Sequence, residues 1–122
     1  MDKFSHRISE TIKIFEDAQK DYQWSRDEIS NMDKLTQDYL HKLELDDLKY
    51  TGRAKIATQL KRCRQERRAH KDTMEILEPI VQFANSEKGK NLINLLREAL
   101  GKTRKAEERM QNRIYYPRVL NK

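Results

Sequence analysis

Apolar residues recur along this sequence every three or four positions, and runs of β-branched residues are missing. Glycine and proline, which interrupt helices, number only three and two in 122 residues. Ala, Glu, Lys, Leu and Arg together supply 56 of the 122 residues, close to the share typical of long helices and coiled coils. We therefore predict an all-α protein, and we expect residues 1–122 to form a single helical domain.

The N-terminal part of the chain predicts helices over residues 4–22 and 26–44. The apolar stripe of the first helix consists of Phe4, Ile8, Ile12, Phe15, Ala18 and Tyr22. Ser25, with a glutamate three residues later, has the form of a capping box, and Trp24 and Ile29 stand where a hydrophobic staple would hold the helix start. The same spacing is compatible with one kinked helix, so this part leaves open whether there is one helix or two.

The C-terminal part of the chain predicts helices over residues 53–84 and 88–114, with a turn at 51–52 before them. Pro79 is expected to kink the first of these helices or to start a new one, because proline cannot donate the helical hydrogen bond. The buried face is predicted to be a heptad seam in which two polar residues occupy the middle positions. The seam consists of Ile56, Leu60, Cys63, Arg67, His70, Met74 and Leu77.

Apolar stripes this narrow predict an antiparallel bundle of three or four helices, two of them long, with a coiled-coil-like seam. A homodimer that shares the seam is left open. Residues 115–122 are predicted to form an extended tail, because Pro117 prevents further helix. The apolar side chains of the tail either dock on a partner or, as we favour, fold back over the end of their own bundle.

Two features of the sequence bear on the compartment. The chain has no window of about 18–20 unbroken apolar residues, and its first residues, MDKFSH, contain no apolar segment of a secretory signal. Cys63 is the single cysteine, which suits a reducing compartment. We expect a cytoplasmic protein without a membrane span.

Residues able to support catalysis are sparse. His6, His41 and His70 are scattered, and none stands with a second ligand at a spacing suited to a metal ion. There is no glycine-rich phosphate loop and no nucleophile elbow. Cys63 belongs to the predicted seam, where a free cysteine is usually a small core residue. We expect no enzymatic activity, no cofactor and no bound metal.

Positive charge is concentrated in residues 52–71, which carry eight basic side chains and only Glu66 as an acidic one. A basic helix face and its border consist of Arg53, Lys61, Arg64, Arg67, Arg68 and Lys71. Such a ladder suits phosphate groups, whereas the net negative charge of residues 1–51 predicts ion pairs within the protein instead. Both alternatives stay open, as does a role for Arg67 and His70 in setting helix register. The face has no aromatic residue for stacking on single strands, and no helix-turn-helix accompanies it.

Several segments in the C-terminal two-thirds of the chain resemble small helical proteins encoded by phages and prophages of Gram-positive bacteria. They are GRAKIATQL at 52–60, ERR and KD within 66–72, EILEP at 75–79 and NRIYYPR at 112–118. The resemblance brings no activity and no functional residues with it. It implies a context in which small phage proteins without active sites bind and block, or redirect, host proteins, defence nucleases among them.

Two functional hypotheses result. The leading one is a non-enzymatic protein-binding module of phage or mobile-element origin, which acts as an inhibitor or adaptor of a host or phage protein. The small size, the missing catalytic residues and the charged helix faces favour it. The alternative is a nucleic-acid-binding protein that uses the basic face at 53–71.

Overall fold

The computed structural model describes residues 3–120, and these form three helices and no strand. Helix α1 comprises Phe4–Leu45, α2 comprises Tyr50–Asn85 and α3 comprises Glu87–Gln111. The all-α prediction is confirmed for the described residues. Of the three or four helices expected, three are present, and α1 and α2 are long, with 42 and 36 residues.

The described residues group into two compact units. The hairpin unit comprises Phe15–Phe83, which is most of α1, the following connection and most of α2. The terminal unit contains the described residues up to Ile14 together with those from Ala84 onward, and therefore includes α3.

Of the one or two helices left open for the N-terminal part, the structure has one, and the predicted boundary near Ser25 is wrong because α1 runs through this position without interruption. Ser25 is fully buried, at 0% exposure, as expected for a residue on the inner face of a helix. The inner face keeps alternating steps of four and three residues across Ser25, and its buried or half-buried members are Ala18, Tyr22, Ser25, Ile29, Met32, Thr36, Tyr39 and Leu43. A continuous buried face outweighs a local cap, which contributes only about 1 kcal/mol.

The other predicted boundaries shift for local reasons. Residues 51–52, expected as a turn, lie inside α2, and the connection between the helices is formed by residues 46–49. The backbone N–H of Arg53 donates to the carbonyl of Lys49 at 3.0 Å and so extends the helical bonding upstream. A new helix does not start at Pro79, since α2 continues to Asn85. Pro79 is exposed, so water can solvate the carbonyl that its missing N–H leaves unpaired.

The hairpin unit is held by contacts that show an antiparallel pairing of α1 and α2. The ring centroids of Phe15 and Phe83 lie 5.9 Å apart. Farther along α1, the Sγ atom of Cys63 lies 3.3 Å from the carbonyl oxygen of Met32. Partners on α2 therefore move toward its N-terminus as the chain advances along α1. This places the predicted seam of α2 against the inner face of α1.

A two-helix hairpin encloses few residues completely. In the hairpin unit the buried apolar residues are Ala18, Ile56 and Cys63, all of them small or of medium size. Trp24 remains 59% exposed, although its ring meets that of His70 edge-on with centroids 5.0 Å apart. Most members of the seam are thus half-buried, and apolar surface remains open along both sides of it.

In the terminal unit, Ser5 and Glu107 join the first turn of α1 to α3. The Ser5 N–H donates to Glu107 Oε1 at 3.1 Å, and the Ser5 hydroxyl donates to Oε2 at 2.8 Å. The carboxylate thereby satisfies one of the backbone donors that a helix start leaves unpaired. Helix α3 starts with Ser86 as its N-cap, whose hydroxyl accepts the Gly89 N–H at 3.0 Å.

The tail does not fold back over its own helices. Helix α3 ends at Gln111, three residues earlier than predicted, and Ile114, Tyr115 and Leu120 are 70%, 77% and 84% exposed. Pro117 and its extended neighbours cannot continue helix α3, so the apolar side chains of the tail do not join the apolar face of that helix. The last two residues of the predicted tail, 121 and 122, lie outside the described residues.

Candidate partner-binding groove

The hairpin unit contains a groove of about 970 Å³ that runs along one side of the helix pair. Five of the six predicted site residues line it: Lys61, Arg64, Arg67, Arg68 and Lys71. They converge because steps of three, four and seven residues return a helical side chain to the same side. The basic face predicted from the sequence is thus one wall of this groove, which we call the α1–α2 groove.

Arg53 is the predicted site residue that the structure places elsewhere. Its Nε atom donates to the carbonyl of Leu48 at 3.1 Å, in the connection before α2. It does not line the α1–α2 groove. The Arg53 side chain thus supplies a hydrogen-bond donor to a backbone carbonyl of the connection, next to the start of α2.

Arg67 lies at the inner edge of the basic wall and is paired within the protein. Its Nε atom lies 2.6 Å from Oδ1 of Asp33 on α1, with the two side chains 27% and 52% exposed. The pairing of acidic N-terminal residues with the basic segment, left open by the sequence, thus occurs at this position. Pairs this exposed contribute about 0–1 kcal/mol to stability.

The other basic residues of the groove form the basic flank, which we define as Lys61, Arg64, Arg68 and Lys71. All of them are exposed. Within residues 3–120, none of them lies within ion-pairing distance of a carboxylate, although acidic residues are frequent on α1. The basic flank therefore forms no direct ion pair within the described part of the chain.

The floor of the groove is apolar and comes from both helices. Leu60 and Met74 contribute from α2, and Tyr22, Ile29 and Leu43 contribute from α1. All of these side chains are half-buried, because each is covered by the opposite helix on one side only. The floor offers apolar area to a third element, with a free energy of about 25 cal/mol for each Å² removed from water.

The groove changes its sign of charge along α2. The basic flank covers the part nearer the N-terminus of the helix, and an acidic end follows, which we define as Asp72, Glu75 and Glu78. Sequence reasoning missed this acidic end and the α1 side of the floor. The spacing of Asp72, Glu75 and Glu78, at steps of three residues, was a usable signal for the acidic end.

A second, more open groove of about 610 Å³ lies in the terminal unit, at Phe4, Ala106 and Met110. Its rim carries Lys3, Lys102 and Glu107. Because Glu107 binds Ser5, this groove lies beside a structural contact of the unit. None of the residues predicted as a site lies there.

Within residues 3–120, no cluster of three or more His, Cys, Asp or Glu side chains is suited to hold a metal ion. The same residues include no helix with the length and apolar character needed to cross a membrane. The lining of the α1–α2 groove consists mainly of charged and apolar side chains. Comparison of the chain with protein-family models, with curated proteins and with solved structures finds no match.

Proposed function

We propose that this protein is a non-enzymatic binding protein that holds a protein partner in the α1–α2 groove and acts as an inhibitor or adaptor. One observation carries the proposal: an unpaired basic flank lies directly beside a half-buried apolar floor. Protein interfaces combine an apolar centre with a polar, charged rim in this way. A cytoplasmic host protein, a defence nuclease among the options, suits the phage context implied by the resemblance.

The groove suits a protein partner better than a nucleic acid for two reasons. A nucleic acid carries negative charge along its whole length, and the acidic end at Asp72, Glu75 and Glu78 would repel it. Phosphate groups would also bury none of the apolar surface of the floor, which includes Leu60 and Met74. A protein segment can match both the charges and the apolar floor.

The pairing of α1 with α2 in this proposal is coiled-coil-like. Both inner faces repeat at alternating steps of four and three residues, from Ala18 to Leu43 on α1 and from Ile56 to Ala84 on α2. Polar residues within the α2 face, Arg67 and His70, act to set the register of the two helices.

Binding of nucleic acid is the second candidate function, supported by the basic flank alone. Four exposed cations without carboxylate partners are available on one side of α2. Contacts of this kind are electrostatic and independent of sequence, so their affinity falls steeply with salt.

The test is a pull-down from host lysate with the wild type and two matched variants, each with and without nuclease. Arg64→Glu/Arg68→Glu reverses two charges of the basic flank. Lys55→Glu/Arg62→Glu makes the same change in charge on the opposite side of α2, outside the groove lining. The two variants are matched locally as well, because Arg68 and Arg62 each precede an acidic residue by four positions.

We expect a protein partner that survives nuclease, is lost with Arg64→Glu/Arg68→Glu and is kept with Lys55→Glu/Arg62→Glu. Both variants must first show the melting temperature of the wild type within a few degrees. Loss of the partner on nuclease treatment would favour the second candidate. A partner retained by both folded variants would contradict the assignment of the groove.

A further inference from the structure

We infer that the α1–α2 groove takes an amphipathic helix of its partner, laid parallel to α2 with its acidic N-terminal end over the basic flank and its basic C-terminal end over the acidic end. The inference rests on the proposed function and names the kind of segment that the groove binds.

The dimensions of the groove match a helix. Its lining extends from Ala57 to Glu78 on α2 and from Tyr22 to Leu43 on α1, and each wall is about 30 Å long at 1.5 Å per residue. A helix of about 20 residues, or three heptads, has the same length. The two walls are antiparallel helices with half-buried seams, and a third helix laid along them completes the burial as in a helical bundle.

The walls also disfavour an extended peptide. A strand needs partners for its backbone N–H and C=O groups, which a sheet edge provides. Inside α1 and α2 the backbone groups are already bonded along their own helices, so the groove has few to offer. A helical partner satisfies its backbone internally and presents apolar residues to Leu60 and Met74.

The charges of the groove set the direction of the bound helix. Lys61, Arg64 and Arg68 attract carboxylates near one end, and the acidic end attracts basic residues near the other. Helices are stabilised by acidic residues near the N-terminus and basic residues near the C-terminus. A helix that satisfies both conditions has its N-terminus at the Lys61 side and runs parallel to α2.

The test uses two synthetic peptides of about 21 residues with leucines at the a and d positions of three heptads. In the first peptide the exposed positions carry glutamate in the N-terminal half and lysine in the C-terminal half. The second peptide has the same leucines and the same charges, with glutamate and lysine alternating along the exposed positions, so that neither direction of binding matches both ends of the groove. Binding to the full chain is measured by fluorescence anisotropy at about 0.15 M salt.

We expect the first peptide to bind at least about tenfold more tightly than the second. The two peptides can also differ in intrinsic helicity, because only the first has charge blocks that favour the helix dipole. The comparison is therefore repeated on Arg64→Glu/Arg68→Glu, where the preference should vanish or reverse. It should persist on Lys55→Glu/Arg62→Glu. A preference that is the same on all three proteins reflects peptide helicity and overturns the inference.

Direction is measured with a nitroxide on the N-terminus of the first peptide. Amide signals of residues 57–64 should broaden, and those of residues 75–82 should not. The opposite pattern overturns the parallel orientation. No binding of either peptide below about 100 µM by the folded protein overturns the helical occupant. The pull-down then tests the proposed function separately. A protein partner that is lost with Arg64→Glu/Arg68→Glu and kept with Lys55→Glu/Arg62→Glu supports that function even if neither peptide binds.

Discussion

The Arg67 Nε atom lies 2.6 Å from Asp33 Oδ1, across the two helices of the hairpin. In the part of the chain that the structure describes, no other basic side chain of residues 52–71 has a carboxylate within ion-pairing distance. Arg67 occupies a seam position and meets α1, whereas the side chains of the basic flank are exposed along the groove. Arg67 is therefore engaged within the fold, whereas the four cations of the basic flank remain available to a partner.

Ser25→Ala should stabilise the protein. The Ser25 hydroxyl is fully buried and has no hydrogen-bond partner, and an unsatisfied buried polar group costs about 1–3 kcal/mol. Alanine is also the better helix former. We expect the free energy of unfolding, from urea denaturation, to rise by about 1 kcal/mol. Ser30→Ala, at an exposed site of α1, is the control and should change it by less than about 0.5 kcal/mol. A loss of stability at Ser25 would mean that the hydroxyl has a bonding role.

The Asp33–Arg67 pair should couple measurably but weakly. In a double-mutant cycle with alanine at both positions, we expect a coupling free energy of about 0.5 kcal/mol, because both side chains are partly exposed. The coupling should fall in about 1 M salt, where charges are screened within about 3 Å. A cycle between Asp33 and Arg64, which form no ion pair, is the control and should give no coupling. Coupling of equal size in both cycles would argue against a specific pair.

Binding to duplex DNA should be weak at physiological salt. The acidic end opposes the basic flank, and the flank supplies only four cations. We expect a dissociation constant above about 1 µM at about 0.15 M salt, measured by fluorescence anisotropy with labelled duplex. The Arg64→Glu/Arg68→Glu/Lys71→Glu variant should lose the remaining binding at low salt. Submicromolar binding that disappears in this folded variant would make nucleic acid the leading partner.

Removal of the tail should leave stability unchanged. The side chains of Ile114, Tyr115, Tyr116 and Val119 are at least 70% exposed and cover none of the described core. A chain that ends at Asn112 should have a free energy of unfolding within about 0.5 kcal/mol of the full chain. The measurement is thermal or urea unfolding followed by circular dichroism. A loss of more than about 1 kcal/mol would show that the tail packs against the helices.

The sequence by itself determined the helical class, because apolar steps of three and four residues are incompatible with the two-residue period of a strand. It also determined that Lys61, Arg64, Arg68 and Lys71 share one side, since helix geometry sets side-chain direction whatever surrounds it. The N-cap of α3 was within reach too, because serine is a preferred N-cap residue and Ser86 directly precedes the helix. These are local properties, and local energies suffice to predict them.

Other features depended on the tertiary structure. The pattern at Ser25 has the form of a cap, and only the packing of α2 against α1 shows that the serine lies inside a continuous buried face. The register of the two helices brings Arg67 next to Asp33. The same register places the apolar floor residues of α1 beside the basic flank of α2, and these residues are Tyr22, Ile29 and Leu43. Register is set by the summed burial along the whole seam, a quantity that no single segment contains.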